Sequence, residues 1–109
     1  QGIFCPNEST TFGMLRALQD AGLAGSVRFV GFDSSAKLVE GLRNGHLDGL
    51  VLQNPFRMGY LGVKTMAAKL AGRKIPARVD TGVQLVTTAN MDDPKVKDVL
   101  SPDLSAWLK

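Results

Sequence analysis

An α/β fold built on a parallel, doubly wound sheet is what this 109-residue sequence predicts, and three observations carry the prediction. Short, almost purely apolar runs alternate with stretches of helix length whose apolar residues recur at helical spacing. The first three runs are each followed by a polar residue, Asn7, Asp33 and Gln53, with helix-start chemistry close behind. The composition, 44% hydrophobic and 21% charged, is that of an ordinary globular chain able to bury a core.

The run at 27–33 organises the rest. Val27-Arg28-Phe29-Val30-Gly31-Phe32 is apolar but for Arg28 and stops at Asp33, as a strand covered on both faces would. Before it, 3–5 reads as a first strand ended by Pro6-Asn7. A helix over 9–21 presents Phe12, Leu15, Leu18 and Ala21 on one face, with Gly22 suited to the position just past its end. After it, a helix over 35–43 buries Leu38, Val39 and Leu42 and stops at Asn44-Gly45, and 47–52 forms a third strand. Asn54-Pro55 is an N-cap followed by proline in the first turn. The helix it opens runs to about 70, with a stripe of Phe56, Tyr60, Val63, Ala67 and Leu70. A loop at 74–76 leads to a fourth strand over 83–88, and Asp93-Pro94 starts a helix ending at Leu100. Ser101-Pro102 signals one more turn, whose Leu104, Trp107 and Leu108 share a face. Strands alternating with helices of this length imply parallel strands joined by right-handed crossovers.

Several function classes are disfavoured. The net charge of +3 is mild and the basic residues are distributed along the chain, whereas a nucleic-acid surface clusters them with stacking aromatics. No apolar run reaches the roughly 20 residues needed to span a bilayer. One cysteine, Cys5, leaves no internal disulfide and reads as a buried thiol. His46 is the only histidine and has no second ligand at metal spacing. Asp80-Thr81-Gly82 matches the tripeptide of dimeric aspartic proteases, but those are all-β and the helical stripes here contradict that fold. No glycine-rich phosphate loop, nucleophile elbow or paired acid and base is present. No enzyme, cofactor or metal is therefore expected, and no nucleic-acid partner.

In an open α/β sheet, ligands bind beyond the carboxyl ends of the strands. Asn7, Asp33 and Gln53 follow three successive strands, so they are predicted to face one small volume. Asp33 accepts only, while Asn7 and Gln53 both donate and accept, a combination suited to adjacent hydroxyl groups. Taken singly, Asn7 and Asp33 are better explained as helix caps than as ligand contacts. Gln53 is not, because Asn54 already occupies the cap position.

At these residues the sequence resembles a known family. Cys5-Pro6-Asn7-Glu8 with Gly13 to Leu18, then Val30-Gly31-Phe32-Asp33, Asn44-Gly45, Asp48-Gly49, Gln53-Asn54-Pro55, Met58-Gly59 and Leu85-Val86-Thr87 resemble the C-terminal part of type I periplasmic sugar-binding proteins of the ribose-binding kind. Glu8, where members often carry Asp, and Pro6 depart from the commonest pattern. The resemblance implies that Asn7, Asp33 and Gln53 hydrogen-bond sugar hydroxyls. It also implies a substrate-binding component of an ABC importer, with a membrane permease as partner, located in the periplasm or lipid-anchored outside a single-membrane bacterium. Lac-repressor-like regulators share the fold and the Gly-Phe-Asp strand and form the alternative. They commonly run into a proline- and threonine-rich segment where this chain has a regular helix, turn and strand. The family architecture further implies that 1–53 and about 83–109 belong to the C-terminal, sugar-binding lobe and about 56–80 to the N-terminal one. On that reading the chain is a fragment, and its helix at 56–71 requires the missing N-terminal lobe or another copy of the chain.

Overall fold

The computed structural model describes residues 1–105, which fall into two compact units. The first, 1–52 with 84–105, contains β1 (Gly2–Phe4), α1 (Glu8–Asp20), β2 (Arg28–Phe32), α2 (Ala36–Arg43) and β3 (Gly49–Leu52). The second, Gln53–Val83, contains α3 (Pro55–Leu70). The chain then re-enters the first unit with β4 (Gln84–Val86) and α4 (Pro94–Leu100).

The four strands form one sheet in the order β1-β2-β3-β4. The first three are parallel, with Phe4 opposite Val30 and Phe32 opposite Val51. The fourth differs from expectation: β4 runs antiparallel to β3, with Leu52 opposite Gln84. The chain leaves the sheet after Leu52 and returns beside its point of departure, so it can only run back along the strand it left. The strand is also shorter than the 83–88 predicted. At Thr87 the backbone turns away, its N–H taken by Asn90 Oδ1 (2.8 Å) and its carbonyl by Met91 N–H (3.0 Å), which carries Met91 into the core.

Helix ends follow the sequence closely. Each of α1, α2 and α3 stops at a glycine with positive φ, Gly22, Gly45 and Gly72. The amide one residue further on closes the turn, as in the bond from Leu23 N–H to the Leu18 carbonyl (2.8 Å). At the start of α4, Asp93 accepts from Lys95 N–H (3.0 Å) ahead of Pro94. Among the described residues, 102–104 are irregular rather than helical. Trp107 and Leu108, predicted to anchor that turn, lie outside the described residues.

Leu15 and Leu18 of α1, Leu38 and Leu42 of α2, Phe29, Leu50 and Leu52 of the sheet, and Val86, Met91, Val96 and Leu100 from the returning segment make one buried core. The face of α1 is rotated from the predicted stripe. Thr11 is fully buried and Phe12 is 37% exposed. The cause is Gly31: a Cβ there would lie 2.1 Å from the Thr11 methyl, so the missing side chain is the space that Thr11 fills. The Thr11 hydroxyl donates to the Asn7 carbonyl (2.7 Å) and accepts from Phe32 N–H (3.1 Å), so its burial leaves no unpaired polar atom.

At the start of β3, the Asp48 carboxylate accepts from Phe29 N–H (2.8 Å) and pairs with the Arg28 guanidinium, joining β2 to β3. The backbone bond first, and Arg28 second, hold the Asp48 carboxyl below its ordinary range. The second unit is described by itself. Asn54 caps α3 by accepting from Arg57 N–H (2.8 Å), with Pro55 its first residue. No residue of α3 is buried, and Val63 and Leu70 are 74% and 81% exposed.

Two outcomes are expected in thermal and denaturant melts. Gly31→Ala overpacks the contact with Thr11 and lowers stability by about 1–3 kcal/mol. Gly13→Ala, on α1 with nothing within 4 Å of its added methyl, raises it by about 0.5–1 kcal/mol. Equal effects would contradict the packing described. A carboxylate with a depressed pKa contributes stability above its unfolded value, about 3.9, which is lost as pH falls through the folded one. The melting temperature of Asp48→Asn should therefore fall less than that of the unmodified chain between about pH 5 and about pH 2.5.

Candidate functional site

The carboxyl ends of β1, β2 and β3 lie along one edge of the sheet, because the three strands are parallel neighbours. Asn7 and Asp33 each stand three residues beyond the paired Phe4 and Val30. The first unit therefore places these two predicted residues at the same edge, on adjacent strand ends. Gln53 is the residue after β3 and opens the second unit.

Asn7 is the N-cap of α1, as the simpler reading of the sequence has it. Its Oδ1 accepts from Thr10 N–H (2.9 Å) and lies within bonding distance of the Thr10 and Ser9 hydroxyls (2.9 and 3.1 Å). The side chain is exposed. Asp33 does not occupy the N-cap position of α2. The N-cap of α2 is Ser35, two residues further on.

Asp33 is instead the one described non-glycine residue with positive φ, at 63°. Three bonds hold the corner around it. Asp33 N–H donates to the Val51 carbonyl (2.8 Å), Phe32 N–H to Thr11 Oγ1 (3.1 Å), and the Ser34 hydroxyl to the Leu100 carbonyl at the end of α4 (3.1 Å). The left-handed region costs an L-residue about 1–3 kcal/mol and favours glycine. Such strain persists only where the surroundings over-determine it, and it concentrates at functional positions. Asp33 thus offers a half-buried carboxylate on a corner pinned from three elements.

Thr11 and Ser34, which build this edge, were not singled out from the sequence. A threonine pair opening a helix is ordinary N-terminal chemistry, and nothing local reveals that Thr11 faces a glycine 20 residues later. A groove of about 290 Å³ between α1 and α2, lined by Arg16, Lys37 and Glu40 among others, includes none of the three predicted residues. It lies on the helices rather than at the strand ends. Among the described residues no group of three His, Cys, Asp or Glu side chains could hold a metal, and no helix is long and apolar enough to cross a membrane. Cys5 is buried and free.

Comparison with known proteins identifies the family. Residues 1–74 match the family model of the periplasmic binding protein domain. The ribose import binding protein RbsB of Escherichia coli is 35% identical over 86 residues, covering 79% of this chain and 29% of its own length. A solute-binding protein of an ABC transporter from Agrobacterium vitis, solved with bound D-fucose, superposes with a TM-score of 0.87 at 42% identity. A carbohydrate-transporter solute-binding protein from Agrobacterium radiobacter, in complex with D-arabinose, gives 0.87 at 43%. Each alignment covers 92% of this chain and 34% of the solved one. The chain thus spans about a third of the length of these relatives. By sequence and by fold, it belongs to the type I periplasmic sugar-binding proteins.

Proposed function

We propose that this chain is the C-terminal part of a passive solute receptor that binds a small sugar, ribose-like or related, and delivers it to an ABC importer. The observation that carries the reading is Asp33: a carboxylate held at positive φ on a pinned corner at the carboxyl end of β2, two residues before the N-cap of α2. Adjacent sugar hydroxyls donate charge-assisted bonds to such a group. Asn7 and Gln53, which each follow a strand parallel to β2, supply the complementary donors and acceptors. Relatives named for ribose, D-fucose and D-arabinose support the ligand class.

On this reading no bond is made or broken. Two lobes close on the sugar, and the closed form is what the membrane permease recognises. The receptor works in the periplasm, or held by a lipid anchor outside a single-membrane cell. Residues 1–53 and about 83–109 contribute to the sugar-binding lobe, and about 56–80 to the other. The division of the chain at Gln53 and Gln84, and the exposed apolar stripe of α3, support that partition. The partner for α3 is then the N-terminal lobe, or in its absence a second copy of the chain.

Asp33 can be tested without harming the fold. Glycine suits φ of 63°, so in the complete protein Asp33→Gly should melt at or above the unmodified temperature. Its affinity for D-ribose, D-arabinose or D-fucose should fall at least about a hundredfold, since bonds to a charged acceptor contribute about 1.5–3 kcal/mol each. Calorimetric titration that finds unchanged affinity would remove Asp33 from the site. Sugar-dependent binding to an operator DNA would instead identify a lac-repressor-like regulator. For the isolated chain, light scattering at high micromolar concentration should report an oligomer. A cooperative, strictly monomeric species would contradict the assignment of 56–80.

A further inference from the structure

Strands β1 and β2 part company just where the candidate site begins. The ladder between them closes with a bond from Cys5 N–H to the Val30 carbonyl (3.1 Å). Backbone groups two residues apart on a strand point the same way, so Phe32 N–H faces the side on which the chain leaves β1. There the Thr11 hydroxyl, brought in by α1, accepts its proton (3.1 Å) in place of a strand carbonyl. Both partners fix the direction of bonding. A carbonyl only accepts, so the hydroxyl donates to Asn7 (2.7 Å), and an N–H only donates, so the oxygen accepts from Phe32. Thr11 is fully buried, and its methyl fills the gap above Gly31. A β-branched side chain is stiff at χ1, so that packing aims the hydroxyl. On the other flank of β2 the ladder itself persists, with Asp33 N–H on the Val51 carbonyl (2.8 Å).

We propose that Thr11 is a positioning residue for the sugar: with no exposed surface it touches no ligand, and it sets the separation of the strand ends that carry Asn7 and Asp33. The inference rests on the sugar-receptor reading and adds to it the group that maintains the spacing of the site. One hydroxyl joins the main chain of Asn7 to the residue that precedes Asp33. A ligand bonded to both side chains needs them at one separation, which a ladder that has already closed does not supply. Without the hydroxyl the two ends relax independently, and restoring their spacing on binding is a cost taken from affinity.

Two variants separate positioning from stability. Thr11→Val keeps the shape and removes both bonds, whereas Thr11→Ser keeps the hydroxyl and removes the methyl. Each should lower the melting temperature of the complete protein, the first by stranding Phe32 N–H and the second by leaving a void. Titrated with D-ribose, D-arabinose and D-fucose well below the melt, Thr11→Val should bind about tenfold more weakly. Thr11→Ser should bind as the unmodified protein does. Unchanged affinity in Thr11→Val overturns the inference, and so does an equal loss in both variants. A Thr11→Val chain that does not fold leaves the decision to amide exchange in the unmodified protein. Coupling is reciprocal, so sugar should slow exchange of Phe32 N–H more than that of Phe29 N–H, which is bonded to the Asp48 carboxylate at the far end of the same strand. Equal slowing overturns the inference. Each of these adverse results leaves the receptor reading in place, whereas an unmodified protein that binds none of the three sugars overturns both.

Discussion

One hydroxyl group organises the edge of the sheet on which the candidate site stands. Thr11 reaches from the first turns of α1 into the space left by Gly31, giving its proton to the Asn7 carbonyl and accepting that of Phe32 N–H. The two residues it joins are Asn7 itself and the neighbour of Asp33. Helix α1 is thereby seated on β2 by a bonded contact as well as by the packing of Leu15 and Leu18. A buried hydroxyl costs free energy unless both its roles are filled. Here they are, so the contact is selective about register: a shift of β2 by one residue would present Val30 or Phe32 where only glycine fits.

Around that contact the structure accepts local strain at one position and relieves it nearby. Asp33 takes the left-handed conformation that the same chain assigns to glycine at its helix ends. The corner is held by a backbone bond to β3, by Thr11 through Phe32, and by Ser34 against the end of α4. Helix α4 is anchored in turn by Val96 and Leu100 in the core. The returning segment after Gln84 thus does more than complete the sheet, because Leu100 holds Ser34, the residue next to Asp33. Bonds made by pre-organised groups cost less entropy than those made by flexible ones, and the backbone carrying Asp33 is organised in this way.

The two units differ in what they bury. The first has a continuous core from both of its sequence segments. Helix α3 of the second has good caps at both ends and no buried residue. Most helical stability in proteins comes from packing of an apolar face, and the stripe of α3 is the kind of surface that other proteins cover.

The sequence alone determined the helix limits, the first three strands and the family. Asn-Pro and Asp-Pro starts, glycine stops and apolar runs act within four or five residues, so they are legible without a fold. The Gly-Phe-Asp strand with its flanking Asn and Gln carried the resemblance and pointed to Asn7, Asp33 and Gln53. Only the tertiary structure decided three other matters. It set β4 antiparallel, because direction depends on where the chain re-enters the sheet 31 residues after leaving it. It buried Thr11 in place of Phe12, because the helix face is chosen by a glycine on another element. It put Asn7 at the N-cap of α1 and Asp33 two residues before the N-cap of α2, on a left-handed corner held by bonds from β3, α1 and α4. Each of these rests on contacts between residues distant in the chain, and local propensity carries no record of them.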